Sequence, residues 1–214
     1  MHVAYLPEPG DILIFSGRGL RSRLIRLGTC SPYSHVGIVA HVTPASLLFM
    51  PTKRAVPQAS WERWRPRDML FESTVWDDIP CEITGKSVRG VQAHDVLPRV
   101  GMYPGRVWVM RCRLAVHEWV SAQINPLTQA CLNRLGVEYD HPGAQLAGTR
   151  LLKRLLPWRT KDRSTQFCVE NTGEILRRVL PEYTAGLRPG ELTPGQFVAW
   201  AIASGLYERP VRVK

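Results

Sequence analysis

The 214-residue chain is long enough for one domain with a substantial buried core, and its 44% apolar content excludes wholesale disorder. Lysine and arginine outnumber the acids 28 to 18, a formal net charge of +10 that favours acidic partners such as anionic lipid or carboxylate-rich substrates, or simply a solvated basic surface. No apolar run reaches the roughly 18–20 residues needed to span a bilayer. Met1 to Gly10 lacks the basic start and apolar stretch of a secretory signal, so a cytoplasmic protein is expected unless a partner or lysis delivers it to the envelope or a viral particle.

In chain order, Gly10-Asp11-Ile12-Leu13-Ile14-Phe15 reads as a short buried strand entered from a Pro/Gly turn. From Arg18 to Leu27, Leu20, Leu24 and Leu27 recur at helical spacing, with Arg18, Arg21, Arg23 and Arg26 on the remaining face. A loop over 28–32 leads into a strand from Ser34 to Val42. The segment 43–68 is rich in Pro, Trp and Arg without a steady period. It is expected as an irregular excursion, either a lid or partner surface presenting Trp61 and Trp64 or an inert insertion. Further strands are expected over Met69–Val75, Val88–Leu97 and Val107–Leu114. Beyond residue 115 the pattern turns helical: His117–Leu135 kinked at Pro126, then Gly143–Leu156, then Phe167–Leu180 stopped by Pro181. A last helix is capped by Thr193, with Pro194 at its first position, and runs to about Ser204. Strands followed by helices define an α+β domain over 1–214, an antiparallel sheet packed with helices.

Five cysteines, Cys30, Cys81, Cys112, Cys131 and Cys168, form no CxxC pair, so neither a zinc signature nor a disulfide framework is expected, and no metal or cofactor is required. Most are read as reduced core residues. Cys168 stands apart, because Thr165 is placed to cap a helix whose first turn then holds the thiol. Unpaired backbone N–H groups and the positive dipole end favour a thiolate there and supply donors for an oxyanion. A buried helix cysteine packed beside Phe167 is the plainer alternative.

His35 heads the apolar run Val36-Gly37-Ile38-Val39, where an imidazole is costly unless its nitrogens find partners. Alternation puts His35, Gly37 and Val39 on one face of the strand, and Gly37 leaves room for a substrate backbone or a second chain. Glu72, inside Met69–Val75, is the candidate to hold the imidazole, unless its strand lies at a solvated edge. Asp77, Asp78 and Glu82 are rivals in a turn-like stretch. The basic clusters 18–26 and 150–163 come with no RNP-type aromatic motif, zinc finger or helix-turn-helix, which argues against nucleic acid as a partner.

Gly10-Asp11-Ile12-Leu13-Ile14-Phe15, Tyr33-Ser34-His35-Val36-Gly37-Ile38, Phe71-Glu72-Ser73, Val137-Glu138-Tyr139-Asp140 and Gln166-Phe167-Cys168 occur in an order and spacing that resemble YiiX/YebB-like proteins. These are circularly permuted, papain-fold members of the NlpC superfamily, and the resemblance covers roughly residues 8–205. It implies a permuted papain-like fold and a Cys–His–polar triad that maps onto Cys168, His35 and Glu72. It further implies hydrolysis of amides, associated in the family with cell-wall peptides, or acyl transfer. By the same resemblance Tyr139 and Asp140 shape the cleft, and Tyr33 is a further candidate to line it. Where the family commonly continues Ser-Glu-Leu-Val after the cysteine, this chain has Val169-Glu170-Asn171-Thr172, which bears on substrate choice more than on the triad.

The expectation is therefore a cysteine peptidase or amidase taking peptide or acyl substrates, peptidoglycan fragments among them. A lipid acyltransferase or thioesterase of the lecithin:retinol acyltransferase-like type is the second reading, with Leu151-Leu152 and Leu155-Leu156-Pro157-Trp158 amid basic residues as its surface for an anionic membrane or envelope. A non-catalytic binding module of a viral or envelope assembly is the third.

Overall fold

The computed structural model describes residues 6–50, 64–74, 79–114, 125–138 and 168–214. At their centre lies one six-stranded antiparallel sheet: β1 (Ile12–Gly17), β2 (His35–Val42), β3 (Arg67–Thr74), β4 (Gly90–Asp95), β5 (Gly105–Met110) and the short β6 (Val211–Arg212). Their spatial order is β4-β3-β2-β1-β5-β6. Helices α1 (Leu20–Thr29) and α2 (Pro44–Leu47) flank β2 in sequence, and α3 (Val96–Met102) joins β4 to β5. Helices α4 (Pro126–Leu132), α5 (Cys168–Val179) and α6 (Pro194–Ala203) follow the five principal strands. The chain is thus α+β, as its pattern predicts.

Every residue of β1 is buried, because this strand is central and both of its faces are covered. Strand alternation then divides the core in two. Ile12, Ile14, Val36, Ile38, Ala40, Met69, Phe71 and Ala93 point to one side, where they pack with Leu127 and Cys131 of α4, Val169, Ile175 and Leu176 of α5, and Phe197 and Ala201 of α6. Leu13, Phe15, Val39, Leu70, Val107 and Val109 point to the other, against Val96 and Tyr103.

Caps explain most boundaries. Thr193 Oγ1 accepts from Gln196 N while the Gln196 side chain accepts from Thr193 N, a reciprocal cap with Pro194 at the first helical position. Asn125 does the same work for α4, its Oδ1 accepting from Leu127 N at 2.9 Å. Pro126 therefore opens α4, since its missing N–H falls where no intrahelical partner exists, and the part of the expected helix before it, 117–124, lies outside the described residues. The expected strand over Val88–Leu97 also ends early, at Asp95, whose carboxylate caps α3. Pro98 is tolerated because it lies in the first turn.

Leu20, Leu24 and Leu27 keep their helical spacing and face solvent. One further expectation changes. A Cβ on Gly37 would come within 2.8 Å of Leu70 Cδ1 and 3.1 Å of Glu72 Cβ, so the space beside this glycine is filled by β3 and is not open to a substrate backbone. The excursion contains the short α2, capped by Thr43, and Trp64 lies under the Arg67 guanidinium at 4.3 Å. Trp61, the helix expected over Gly143–Leu156, the basic cluster 150–163 and the Leu151–Trp158 surface lie outside the described residues.

Candidate active site

His35 is the first residue of β2, and register places Gly37 opposite Glu72 on β3 and Phe15 opposite His35 on β1. Two-residue alternation therefore turns His35 and Glu72 to the same face. Their side chains meet: His35 Nε2 lies 2.6 Å from Glu72 Oε2. The far ring nitrogen, Nδ1, remains for another partner, and Cys168 lies near enough to act on the charge of the ring. Cys168, the first residue of α5, is buried in the core on the helical side of the sheet. The site therefore joins the two sides of the sheet at the beginning of β2.

Electrostatics hold His35 and Glu72 in charged form. Burial opposes an imidazolium at His35, but the neighbouring Cys168 and then the Glu72 carboxylate outweigh it. Together they push His35 up to about 9. Burial likewise opposes ionisation of Glu72, yet the Arg99 guanidinium and then His35 hold its carboxyl well below the usual carboxylate range. Glu72 is fully buried; an isolated carboxylate there would cost several kcal/mol.

Arg99 is the residue that local sequence reasoning misses. From α3 its Nε and Nη2 donate to Glu72 Oε1 and Oε2 at 2.5 and 3.1 Å, the bidentate geometry of a guanidinium on a carboxylate. It is itself buried, its guanidinium 5.5 Å from the Phe15 ring and 5.2 Å from the Tyr103 ring. No motif marks it, because its partner lies in another element; the one available sign was Asp95 three residues before Pro98, a helix start concealed in a strand-like run. His94 on β4 also faces Glu72, 3.9 Å away, and burial lowers its affinity for a proton. The phenol of Tyr103 is pushed up to about 12, first by burial. Ser34, between Tyr33 and His35, accepts from Gly17 N and donates to Phe15 O, tying the start of β2 to the end of β1.

The other expected site residues divide. Tyr33 stands edge-on against Trp108, ring centroids 5.4 Å apart, and half-buried. Tyr139, Asp140, Thr165, Phe167 and the rivals Asp77 and Asp78 lie outside the described residues. Glu82 is engaged elsewhere: Oε1 accepts from Asp95 N at 2.7 Å, and Oε2 pairs with Arg67 at 3.2 Å. Of the other cysteines, Cys30 is exposed, while Cys81, Cys112 and Cys131 are buried, and burial raises the pKa of Cys112 and Cys131. Among the described residues no group of three or more His, Cys, Asp and Glu side chains is disposed to hold a metal ion. Both oxygens of Glu72, the one acid in the cluster, are already taken by Arg99 and His35. No helix among the described residues is long and apolar enough to cross a membrane.

No protein-family model matches the chain, and no curated protein matches it either. Among solved structures it is similar to metalloprotein yiiX from Escherichia coli O157:H7, at 20% identity over 83% of this chain and 68% of that one, with a TM-score of 0.46.

Proposed function

We propose that the chain is a cysteine hydrolase with a permuted papain-like fold, acting on an amide bond, with cell-wall peptides as its substrate class. The observation that carries this reading is the His35 ring held by Glu72, itself held by Arg99, with Cys168 near enough to raise the pKa of His35. In the reaction the Cys168 sulfur bonds to the amide carbonyl carbon, and the carbonyl π electrons move to oxygen. N–H groups at the start of α5 are the proposed donors to that developing charge. The imidazolium of His35 gives its Nδ1 proton to the departing nitrogen, the C–N bond breaks, and a thioester remains. Water, deprotonated by His35, then releases the acid and regenerates the thiolate. Glu72 fixes the ring and its charge; Arg99 fixes Glu72. Tyr33, Tyr139 and Asp140 are the proposed substrate-binding side chains.

The test is the pH dependence of alkylation, read cysteine by cysteine by mass spectrometry. Cys168 is expected to react fastest near pH 6, and His35→Ala to abolish that advantage. Reaction of Cys168 no faster than Cys30 or Cys112 would remove the enzyme reading and favour a binding module. Acyl transfer on lipids is the second reading, and the solvent-facing leucines of α1 favour it.

A further inference from the structure

The two most exposed large apolar side chains among the described residues are Leu27 and Leu20, at 76% and 73%, and both lie on α1 with Leu24 at 60%. Positions 20, 24 and 27 form one stripe of a helix, the side that a globular helix ordinarily buries. Arg18 and Arg23 are exposed beside it, and Arg26 is half-buried, its Nη1 donating to Ser16 Oγ at 3.2 Å. No aspartate or glutamate stands between Asp11 and Glu62 in the sequence, so this helix carries no acid of its own. At its C-terminal end Arg23, Arg26, Leu27, Cys30, Ser31 and Pro32 line an open cleft of about 430 Å³.

We propose that the solvent face of α1 docks on an anionic lipid surface, leucines in the acyl boundary and arginines at the headgroups. An apolar stripe edged with arginine is what such an interface selects. A second copy of this chain is a poor occupant, because it would set Arg18 and Arg23 against themselves on a molecule already at +10. The proposal does not depend on the chemistry at Cys168. Residues 30–34 do join α1 to His35, so docking brings the beginning of β2 toward the lipid.

The experiment is co-sedimentation of the full chain with vesicles of phosphatidylcholine, alone or mixed with phosphatidylglycerol. Partition onto the mixed vesicles is expected to be at least tenfold stronger and to weaken with salt. The triple variant L20S/L24S/L27S is expected to lose at least tenfold of it, and R18E/R23E a comparable amount, with the melting temperature unchanged because these side chains face solvent. Cys168→Ala is expected to bind as the parent does, which separates this surface from the reaction. Four results would overturn the proposal. They are no binding to the mixed vesicles; full binding by both α1 variants; self-association of the parent that the triple variant abolishes; and binding to an acidic polypeptide without binding to vesicles.

Discussion

The two faces of the sheet are buried by different means. On the side of α4, α5 and α6, the strands contribute Ile12, Ile14, Val36, Ile38, Met69 and Phe71, and burial of apolar surface suffices to stabilise the contact. On the opposite side Leu13, Phe15, Leu70 and Val107 are joined by Glu72, Gln92, His94 and Arg99, all buried. Charged groups persist there because each engages another: Arg99 with Glu72 and Glu72 with His35. An apolar face tolerates small changes by collapse, whereas a buried ionic chain fails when one member is lost.

The largest effect is expected where the ionic face reaches the thiol. Cys168→Ala should lower turnover of peptidoglycan fragments or acyl esters by about 10⁴-fold or more while the thermal melt stays within a few degrees. Comparable turnover in parent and variant would separate the cluster from catalysis. Next comes the clamp: Glu72→Gln takes the Glu72 carboxylate away from the buried Arg99 guanidinium and should cost about 3–5 kcal/mol in chemical denaturation. The double change Glu72→Gln with Arg99→Met should cost less than the sum of the singles, and a strictly additive cycle would deny the coupling.

A pH series sharpens the same contrast. The raised His35 contributes stability that is fully present below its unfolded value near 6.5 and is lost as pH rises through about 9. The depressed Glu72 contributes stability that is present above its unfolded value near 4.5 and is lost as pH falls below it. Melting temperature should therefore fall at both ends, and His35→Ala should flatten the alkaline limb; a parent insensitive to alkaline pH would count against the ion pair. The smallest effect belongs to the apolar face, where Ile38→Val should cost about 0.5–1.5 kcal/mol with the pH profile unchanged.

The helices show where pattern reading succeeds and stops. Thr193-Pro194 and the apolar positions of α5 are legible because capping and periodicity are local properties. Leu20, Leu24 and Leu27 are equally periodic, yet they face solvent: a period defines a face and says nothing of what covers it. Pro126 and Pro98 both fall in first turns, and a proline's effect depends on that placement, which Asn125 and Asp95 decide.

The sequence by itself determined the α+β class, the alternation of β2 and β3, and the residues with chemistry to offer, Cys168, His35 and Glu72. Each of these rests on a short-range period or on the side chain's own nature. Only the tertiary structure decided that Gly37 makes room for Glu72, that His35 reaches Glu72 and lies near Cys168, and that Arg99 closes the set. Strand register and the docking of α3 set those contacts, and pairing across 27 to more than 100 positions leaves no trace in local spacing.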